Sequence, residues 1–418
     1  MSFFKLTLRD VPLDHRTVLV RVDYNVPLTP DGKIGDDLRI RASLPTIEYL
    51  LERGCKVVLM SHLGRPEGKD LAFTLEPVAQ RLATLLKKDV IFADDCIGDR
   101  VYQVVKRAAM GSVILLENLR FYAGEEADDH EFARKIAKCT EARYFVQDGF
   151  GMVHRAHASM HAITLFIPSV AGFLVEREYE TITNAMQAPK RPLIAVMGGA
   201  KVSDKIAVIE RFVTVADKII IGGAMANTFL AYKGVNVGAS KVEKGQHAEL
   251  DRIYAAAKEK VGDDIDDFII LPTDLAVAKE ISVKDKRHNV ALADMADTDI
   301  ALDIGDDSIE RVVKLIDTAK TVIWNGTLGY AEFPVFAHGS ARLALELASH
   351  PDITSIIGGG DTTEFVLNWD GHDGKSFSYV STGGGASLEL MAGDKLPGIE
   401  SLLDARPKVG YTNSNKHK

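Results

Sequence analysis

The sequence lacks several features that would mark a secreted, metal-stapled or membrane protein. It has three cysteines in 418 residues and no CxxC pair, which argues against a disulfide framework or a structural zinc site. It has no apolar run of about 18 residues, the length needed to span a membrane. Its first residues carry charges throughout, unlike a secretory signal. We therefore expect a soluble, cytoplasmic protein whose cysteines are core thiols.

The chain also lacks an excess of positive charge. Its 50 lysine and arginine residues stand against 59 aspartate and glutamate residues, which gives a net charge of −9. Nucleic-acid binding without sequence preference needs a broad positive surface, so we expect no nucleic-acid partner. An anionic small substrate is still compatible with this charge where arginines gather locally.

The two commonest phosphate-binding motifs are missing as well. No GxxxxGK[ST] sequence occurs, because the nearest string, GHDGKS at 371–376, has Trp369 where the first glycine should stand. No GxGxxG followed by an acidic residue is present either. If glycines of this chain hold phosphate, they do so in another arrangement.

What the sequence does contain is an alternation of short apolar runs and helical stretches. Continuous apolar runs are typical of parallel strands that are covered on both faces. Helical periodicity over 38–54, 203–218 and 307–320 indicates helices between them, the last with Ser308 as a plausible N-cap. The pattern predicts an α/β fold with parallel sheets. The runs are 18–27, 56–64, 112–118, 142–151, 192–200, 218–226, 267–274, 320–329, 354–362 and 377–386.

Both the length and the number of strands predict two domains. The segment 170–192 begins with helical periodicity and ends in a basic turn that contains proline, as expected of an element that joins two lobes. We place the N-terminal domain at 1–172, the interdomain helix at 173–188 and the C-terminal domain at 189–403. The tail, 404–418, is assigned to the N-terminal domain.

Arginines in the first half follow or lie near the apolar runs. Because ligands of open parallel sheets bind at the carboxyl ends of the strands, converging guanidinium groups there would form an anion pocket. The alternative for each arginine is a solvated surface charge. The spacing of His154 and His157, with His161 beyond, also fits a metal site, but Arg155 would repel a cation. The candidates are Arg21, Asp23, Asn25, Arg39, His62, Arg65, Arg120 and Arg155.

Glycines, lysines and acidic residues recur after the runs of the second half. Lys201 and Lys205 flank a strand-to-helix turn in MGGAKVSDKIAV, and the start of a helix favours phosphate. Asp361 follows three glycines at the start of a predicted helix, where it could cap the helix or hold a Mg²⁺ ion. Glu332 could bind a ribose hydroxyl or be a surface carboxylate.

Together these strings resemble the phosphoglycerate kinase family. RVDYNVP, SHLGRP, LLENLRF, the GFGxxHRAH segment, MGGAKVSDKI, IGGAMANTF, WNG, GGGDT, STGGGASLE and LPGIESL stand in the family's order, from about residue 18 to 403. The resemblance implies two Rossmann-like lobes joined by an interdomain helix and hinge. It implies 3-phosphoglycerate or 1,3-bisphosphoglycerate on the N-terminal lobe and MgATP or MgADP on the C-terminal lobe. It further implies a monomer whose tail packs against the N-terminal lobe.

The resemblance also assigns roles residue by residue. The glycerate site would comprise Asp23, Asn25, Arg39, His62, Arg65, Arg120 and Arg155. Arg39 and Lys201 would stabilise the transferring phosphoryl group, Lys205 would hold nucleotide phosphates, and Asp361 would hold the metal. The nucleotide site would be lined by Gly199, Ala200, Lys205, Gly222, Gly223, Asn325, Glu332, Gly359, Gly360, Asp361 and Thr362.

A few positions depart from the family pattern. Thr327 and Asp306 stand where proline is usual, and Tyr330 and Ala331 replace a Val-Phe pair. These changes leave the charged residues in place but put the nucleoside pocket, and with it the choice between ATP and GTP, in question. Two other functions remain open, a nicotinamide-linked oxidoreductase, against which the missing GxGxxG argues, and a binding protein without turnover.

Overall fold

The computed structural model describes residues 3–29, 31–282, 286–371 and 373–405. Its described residues divide into two compact units. The first unit comprises 3–149, 155–177 and 397–405, and the second comprises 150–154 and 178–396. Residues 397–403, predicted to belong to the C-terminal domain, thus lie with the first unit, and residues 150–154, predicted to belong to the N-terminal domain, lie with the second. The predicted docking of the tail concerns mainly 406–418, which are outside the described residues.

A parallel sheet forms the centre of the first unit. Among the described residues its six strands lie in the order β3-β4-β2-β1-β5-β6. The elements are β1 Thr17–Arg21, α1 Leu38–Glu52, β2 Lys56–Met60, α2 Glu76–Leu86, β3 Val90–Ala93, α3 Asp99–Arg107, β4 Val113–Leu116, α4 His130–Thr140, β5 Tyr144–Gln147 and β6 Ser169–Ala171.

Alternate residues of these strands pack into two different apolar cores. Val18 and Val20 of β1 join one core, while Leu19 joins the other. Because successive side chains of a strand point to opposite faces, the sheet is covered on both sides. This explains why its strands read as unbroken apolar runs in the sequence.

Helix α5, Phe173–Gln187, begins in the first unit and ends in the second. In the first unit, the buried carboxylate of Asp148 accepts a hydrogen bond from Leu174 N (2.9 Å), which caps the start of the helix. In the second unit, Glu178 on the same helix is fully buried.

A second parallel sheet forms the centre of the second unit. Its six described strands lie in the order β15-β14-β13-β7-β8-β9. The elements are β7 Leu193–Met197, α6 Ile206–Val215, β8 Lys218–Ile221, α7 Gly223–Tyr232, α8 His247–Val261, α9 Ile265–Phe268, β9 Ile269–Ile270, β10 Asp274–Ala278, β11 His288–Ala291, β12 Ile300–Ile304, α10 Asp306–Ile316, β13 Thr321–Asn325, α11 His338–Ser349, β14 Thr354–Gly358, α12 Gly360–Asp370, β15 Tyr379–Val380 and α13 Gly385–Ala392. A last helix, α14 Pro397–Glu400, belongs to the first unit.

Strands β10, β11 and β12 form a separate antiparallel sheet, with β10 in the middle. The sequence did not predict this sheet. The run 267–274, predicted to be one strand, contains the end of α9, the whole of β9 and the first residue of β10. Strand β11 escaped detection because its residues are largely exposed and form no apolar run.

The predicted parallel α/β fold is confirmed, and the three cysteines are free and buried as expected. The predicted N-cap role of Ser308 is wrong. Helix α10 begins at Asp306, and Asp274 of β10 caps it by accepting hydrogen bonds from the N–H groups of Asp307 (3.1 Å) and Ser308 (2.8 Å). Among the described helices, none has the length and apolarity that crossing a membrane requires.

Candidate active site

Three arginines of the first unit line one cavity of about 710 Å³. Arg65 follows β2, Arg120 follows β4, and Arg155 lies in the segment after β5. The Arg120 guanidinium is fixed by a hydrogen bond to Gly64 O (2.7 Å) and by an ion pair with Glu126 (2.9 Å). Three guanidinium groups around one opening create a site for a phosphate or carboxylate group.

Asp23 and Arg39 form an ion pair in the same unit. Arg39 Nη1 lies 2.7 Å from Asp23 Oδ2, and the Asp23 side chain is 6% exposed. Asn25 contributes its N–H to Asp23 Oδ1 (3.2 Å), and its own Oδ1 accepts from Gly64 N (2.9 Å). Since Gly64 also binds Arg120, these contacts join Asp23 and Asn25 to the arginine-lined cavity.

His62 is buried and neutral. Burial, followed by the nearby Arg21, holds its pKa well below the usual value. Arg21 Nη2 lies 3.1 Å from His62 Nδ1, and because a guanidinium can only donate, Nδ1 must be the acceptor. The ring proton is therefore on Nε2, which leaves an N–H available to an anionic ligand.

Arg21, which our assignment of roles omitted, orients His62 from a completely buried position. Its charge is balanced by Glu125, 3.9 Å away, which is also fully buried and accepts from Ser159 N (3.0 Å). A buried charge of this kind needs a partner. The sequence does carry a signal for this buried role, because Arg21 interrupts the apolar run 18–27 at the end of β1.

His157 and His161 have different surroundings. His161 Nδ1 lies 2.7 Å from Asp128 Oδ2. His157 Nδ1 is 3.8 Å from Glu125 Oε1 and has no hydrogen-bond partner among the described residues. Burial lowers the pKa of His157 to about 4. Among the described residues, the groups of side chains that could hold a metal ion do not include these histidines, which argues against the metal site that their spacing suggested.

In the second unit, a cavity of about 250 Å³ collects most of the predicted nucleotide residues. Its walls come from the turns after β7, β13 and β14 and from the start of α13. All of these turns follow the carboxyl ends of parallel strands. The lining residues are Gly199, Ala200, Lys201, Asp204, Lys205, Asn325, Gly326, Gly359, Gly360, Asp361, Thr362, Gly384, Gly385 and Leu388.

The ammonium group of Lys205 is held at the wall of this cavity. It donates to Gly198 O (2.8 Å) and Asn325 O (3.2 Å). Burial lowers its pKa to about 8, against the opposing effect of Asp361 and Asp204. Lys201, by contrast, is exposed. The pair offers one positive charge held by backbone carbonyls and one that is exposed.

Asn325 brings an unsatisfied amide to the cavity. Among the described residues, neither its Oδ1 nor its Nδ2 has a hydrogen-bond partner, although both atoms are buried. Gly359 has φ of +94° and lies so close that an added Cβ would be 3.0 Å from Asn325 Nδ2. Only glycine fits this turn without strain, and a buried amide without partners indicates a polar ligand.

Asp361 connects this cavity to a second one of about 530 Å³, since it lines both. The second cavity is bounded by Glu332, Thr327 and the ring of Trp369. Asp361 is exposed, and within the described part of the chain its carboxylate accepts no hydrogen bond. It is therefore not an N-cap. An exposed carboxylate beside the cavity of about 250 Å³ is suited to bind a magnesium ion.

Gly222 and Gly223 line neither of these two cavities. They lie behind the turn at Gly199, which lines the cavity of about 250 Å³. A Cβ on Gly223 would overlap the backbone of Gly199, and Gly223 N donates to Leu328 O (2.8 Å). Of the positions that depart from the family pattern, Thr327 and Ala331 line the cavity of about 530 Å³. Tyr330, which precedes Ala331, is 39% exposed. Asp306 contacts Arg287 and Asn289 instead.

Two carboxylates that the sequence did not reveal hold the loops around the cavity of about 250 Å³. Glu178 accepts hydrogen bonds from Ser381 Oγ (2.8 Å) and Thr382 N (2.7 Å), just before Gly384. Glu243 accepts from Val202 N (2.7 Å) and also binds Ser203, next to Lys201. Their partners are distant in sequence, so periodicity and motifs carry no signal for them.

A sequence model of the phosphoglycerate kinase family matches residues 8–394. The chain belongs to the phosphoglycerate kinase family. It is 46% identical over 396 residues to the phosphoglycerate kinase of Thermosynechococcus vestitus, covering 94% of this chain and 97% of the relative. It is 44% identical over 402 residues to the cytosolic phosphoglycerate kinase of Triticum aestivum, covering 96% and 98%.

Solved structures of the family share the fold. The phosphoglycerate kinase of Coxiella burnetii has a TM-score of 0.81 and 34% identity, covering 95% of this chain and 98% of that one. The enzyme from Pyrococcus horikoshii also has a TM-score of 0.81, with 32% identity and the same coverage. The resemblance seen in the motifs is thus confirmed over nearly the whole chain.

Proposed function

We propose that this phosphoglycerate kinase family member catalyses reversible phosphoryl transfer between ATP and 3-phosphoglycerate, the kinase step of glycolysis that forms ADP and 1,3-bisphosphoglycerate. The observation that carries the proposal is the presence of two complementary anion sites, an arginine-lined cavity in the first unit and a glycine- and lysine-lined cavity in the second. Membership in the family supplies the substrates.

The first unit binds the glycerate. Arg65, Arg120 and Arg155 surround its phosphate, and the N–H at Nε2 of neutral His62 donates to the ligand. The ion pair of Asp23 with Arg39 (2.7 Å) places a further guanidinium beside this site. Bidentate donors of this kind recognise planar carboxylate and phosphate groups.

The second unit binds the nucleotide. The phosphates occupy the cavity lined by Lys205 and Asn325, and the nucleoside occupies the adjoining cavity with Glu332. Asp361 lies where both cavities meet, so it is the residue that would hold Mg²⁺. The ion would neutralise charge on the nucleotide phosphates.

The transfer itself requires alignment and positive charge, not a covalent intermediate. Arg39 and Lys201 stabilise the negative charge on the oxygens of the moving phosphoryl group, and this stabilisation is greatest in the transition state. The attacking carboxylate of 3-phosphoglycerate needs no general base, because it is already ionised at neutral pH. No phosphoenzyme forms.

A hinge at helix α5 closes the two units around the substrates. Its support is that the two anion sites belong to different units and that α5 is shared between them. Closure would exclude water from the acyl phosphate, which hydrolyses readily. We further propose that the chain acts as a monomer, as the family resemblance implies. We also propose that it acts in the cytoplasm, because the Triticum aestivum relative is named as a cytosolic protein.

Turnover of the purified protein tests this proposal. ATP, Mg²⁺ and 3-phosphoglycerate are supplied together, and each is then left out in turn, while a coupled dehydrogenase that consumes the acyl phosphate reports product. Turnover that needs all three supports the kinase. ATP binding without turnover would favour an inactive binding protein, and a fluorescence change on NADH addition would favour an oxidoreductase.

A further inference from the structure

Arg287 lies immediately before β11 and reaches a buried carboxylate of β12. Its Nη1 is 2.9 Å from Asp303 Oδ2, and its Nη2 donates to Ile304 O (3.0 Å) and Asp306 Oδ1 (2.9 Å). The Asp303 side chain is completely buried and that of Arg287 is 10% exposed. The antiparallel sheet thus carries an arginine that joins two aspartates.

The Asp303 carboxylate also contacts both ends of the segment 329–339. Its Oδ2 accepts a hydrogen bond from Gly339 N (3.0 Å), at the start of α11. A Cβ added at Gly329 or at Gly339 would overlap Asp303 Oδ1. The carboxylate therefore fits between two glycines that approach it closely.

That segment is one wall of the second cavity. Ala331, Glu332, Pro334 and Ala337 all line it. Tyr330 N donates to Leu302 O (2.6 Å), which attaches the same segment to β12 a second time. The cavity wall is thus attached to β12 both through the Asp303 carboxylate and through the backbone of Leu302.

A buried carboxylate is costly unless it is paired. Burial raises the pKa of Asp303 to about 6, while the N–H of Gly339 and the charge of Arg287 oppose the rise. The other charged or titratable groups near Arg287 are Asp306 and His338. Arg287 is the cation that compensates Asp303 inside the protein.

We propose that Arg287 is a positioning residue for nucleotide binding: it fixes Asp303, and through it the segment 329–339 that forms one wall of the nucleoside cavity. The inference rests on the proposed function in taking this cavity as the nucleoside site. It also gives the antiparallel sheet a role, and it gives Asp306, which stands where the family resemblance leads us to expect proline, a partner.

Equilibrium titration with ADP tests the role of Arg287. Trp369 lines the cavity and provides a fluorescence signal. We expect Arg287→Met, which keeps the apolar length and removes the charge, to raise the Kd for ADP at least about tenfold, as displaced binding groups do. Its affinity for 3-phosphoglycerate, measured by calorimetry, should stay at the parent's value.

Two further variants separate positioning from general support of the fold. Lys279→Met removes an exposed lysine just after β10 that pairs with the carboxylate of Asp299, and this variant should bind ADP like the parent. Arg287→Lys keeps a charge but cannot bind two carboxylates as a fork, so its Kd for ADP should lie between those of the parent and Arg287→Met. It also serves as the test if Arg287→Met does not fold.

Parent-like ADP affinity in folded Arg287→Met, or in Arg287→Lys if only that variant folds, would overturn the inference. Equal losses of ADP and 3-phosphoglycerate affinity would overturn it too, because they indicate a general loss of structure. Failure of the proposed function is recognised separately: the parent itself would then give no turnover with ATP and 3-phosphoglycerate.

Discussion

Arg39 Nη1 and Asp23 Oδ2 lie 2.7 Å apart, and the carboxylate is almost completely buried while the arginine side chain is 30% exposed. Burial by itself would raise the pKa of Asp23. The opposing effect of Arg39 and other neighbouring groups is larger, so the pKa lies below its usual value. The carboxylate is ionised and holds the guanidinium beside the proposed glycerate site. Arg39 is therefore positioned before substrate binds.

Arg39→Ala should lower kcat at least about 100-fold, which corresponds to about 2.7 kcal/mol of barrier. The KM for 3-phosphoglycerate should change much less, because the charge acts mainly on the transition state. Steady-state kinetics at saturating ATP measures both. Arg41→Ala, two residues along α1 and paired with Asp37 (2.6 Å), is the control and should retain the parent's kcat. Near-normal turnover of Arg39→Ala would remove Arg39 from this role.

Lys201→Ala should cause a loss of similar size in kcat, at least about 100-fold. Lys201 is exposed at the cavity of about 250 Å³, where its charge is accessible to a phosphoryl group, whereas Lys205 is held by two backbone carbonyls. Lys244→Ala, which changes another exposed lysine of the second unit, provides the comparison. A parent-like kcat in Lys201→Ala would show that its charge does not act in the transition state.

ADP affinity should fall as the pH rises through the pKa of Lys205, about 8. Below this pKa the ammonium is charged and attracts the phosphates, and above it the attraction is lost. Calorimetric titrations between about pH 7 and pH 9 measure the effect. Lys205→Met should bind ADP weakly at every pH in this range. A parent Kd that is independent of pH would contradict the assignment.

Asp361→Asn should reduce the difference in affinity between MgADP and metal-free ADP, because the amide lacks the charge that a magnesium ion prefers. Binding of metal-free ADP should be preserved or improved, since a negative charge near the phosphates is removed. Asp352→Asn, which changes an exposed partner of Lys320, should keep the parent's preference for MgADP. An unchanged preference in Asp361→Asn would place the metal elsewhere.

The parallel sheets were predictable from the sequence because their strands are buried on both faces. Strands β1, β2, β7 and β13 each contain five residues with almost no polar interruption, and a turn with glycine or charge follows. The antiparallel sheet was missed although all five residues of its middle strand, β10, are buried. Exposed β11 has no apolar run, so its pairing depends on the neighbouring β10, which periodicity cannot show.

The glycine, lysine and arginine residues of the candidate site were also predictable, because they occur in short motifs at strand ends. The residues that hold those motifs were not. Glu178 and Thr382 are in hydrogen-bond contact although 204 positions separate them, and Arg287 acts on a cavity to which it contributes no lining atoms. Such contacts come from the fold, and a buried carboxylate looks like any other acidic residue in the sequence.

The stereochemical course at phosphorus tests the central claim of direct transfer. ATP with a γ-phosphoryl group made chiral by oxygen isotopes is incubated with Mg²⁺ and 3-phosphoglycerate, and the configuration of the transferred group is determined. One in-line displacement between substrates bound to Arg39, Lys201 and Lys205 predicts inversion. Retention would mean two successive displacements through a phosphoenzyme, and would contradict the account.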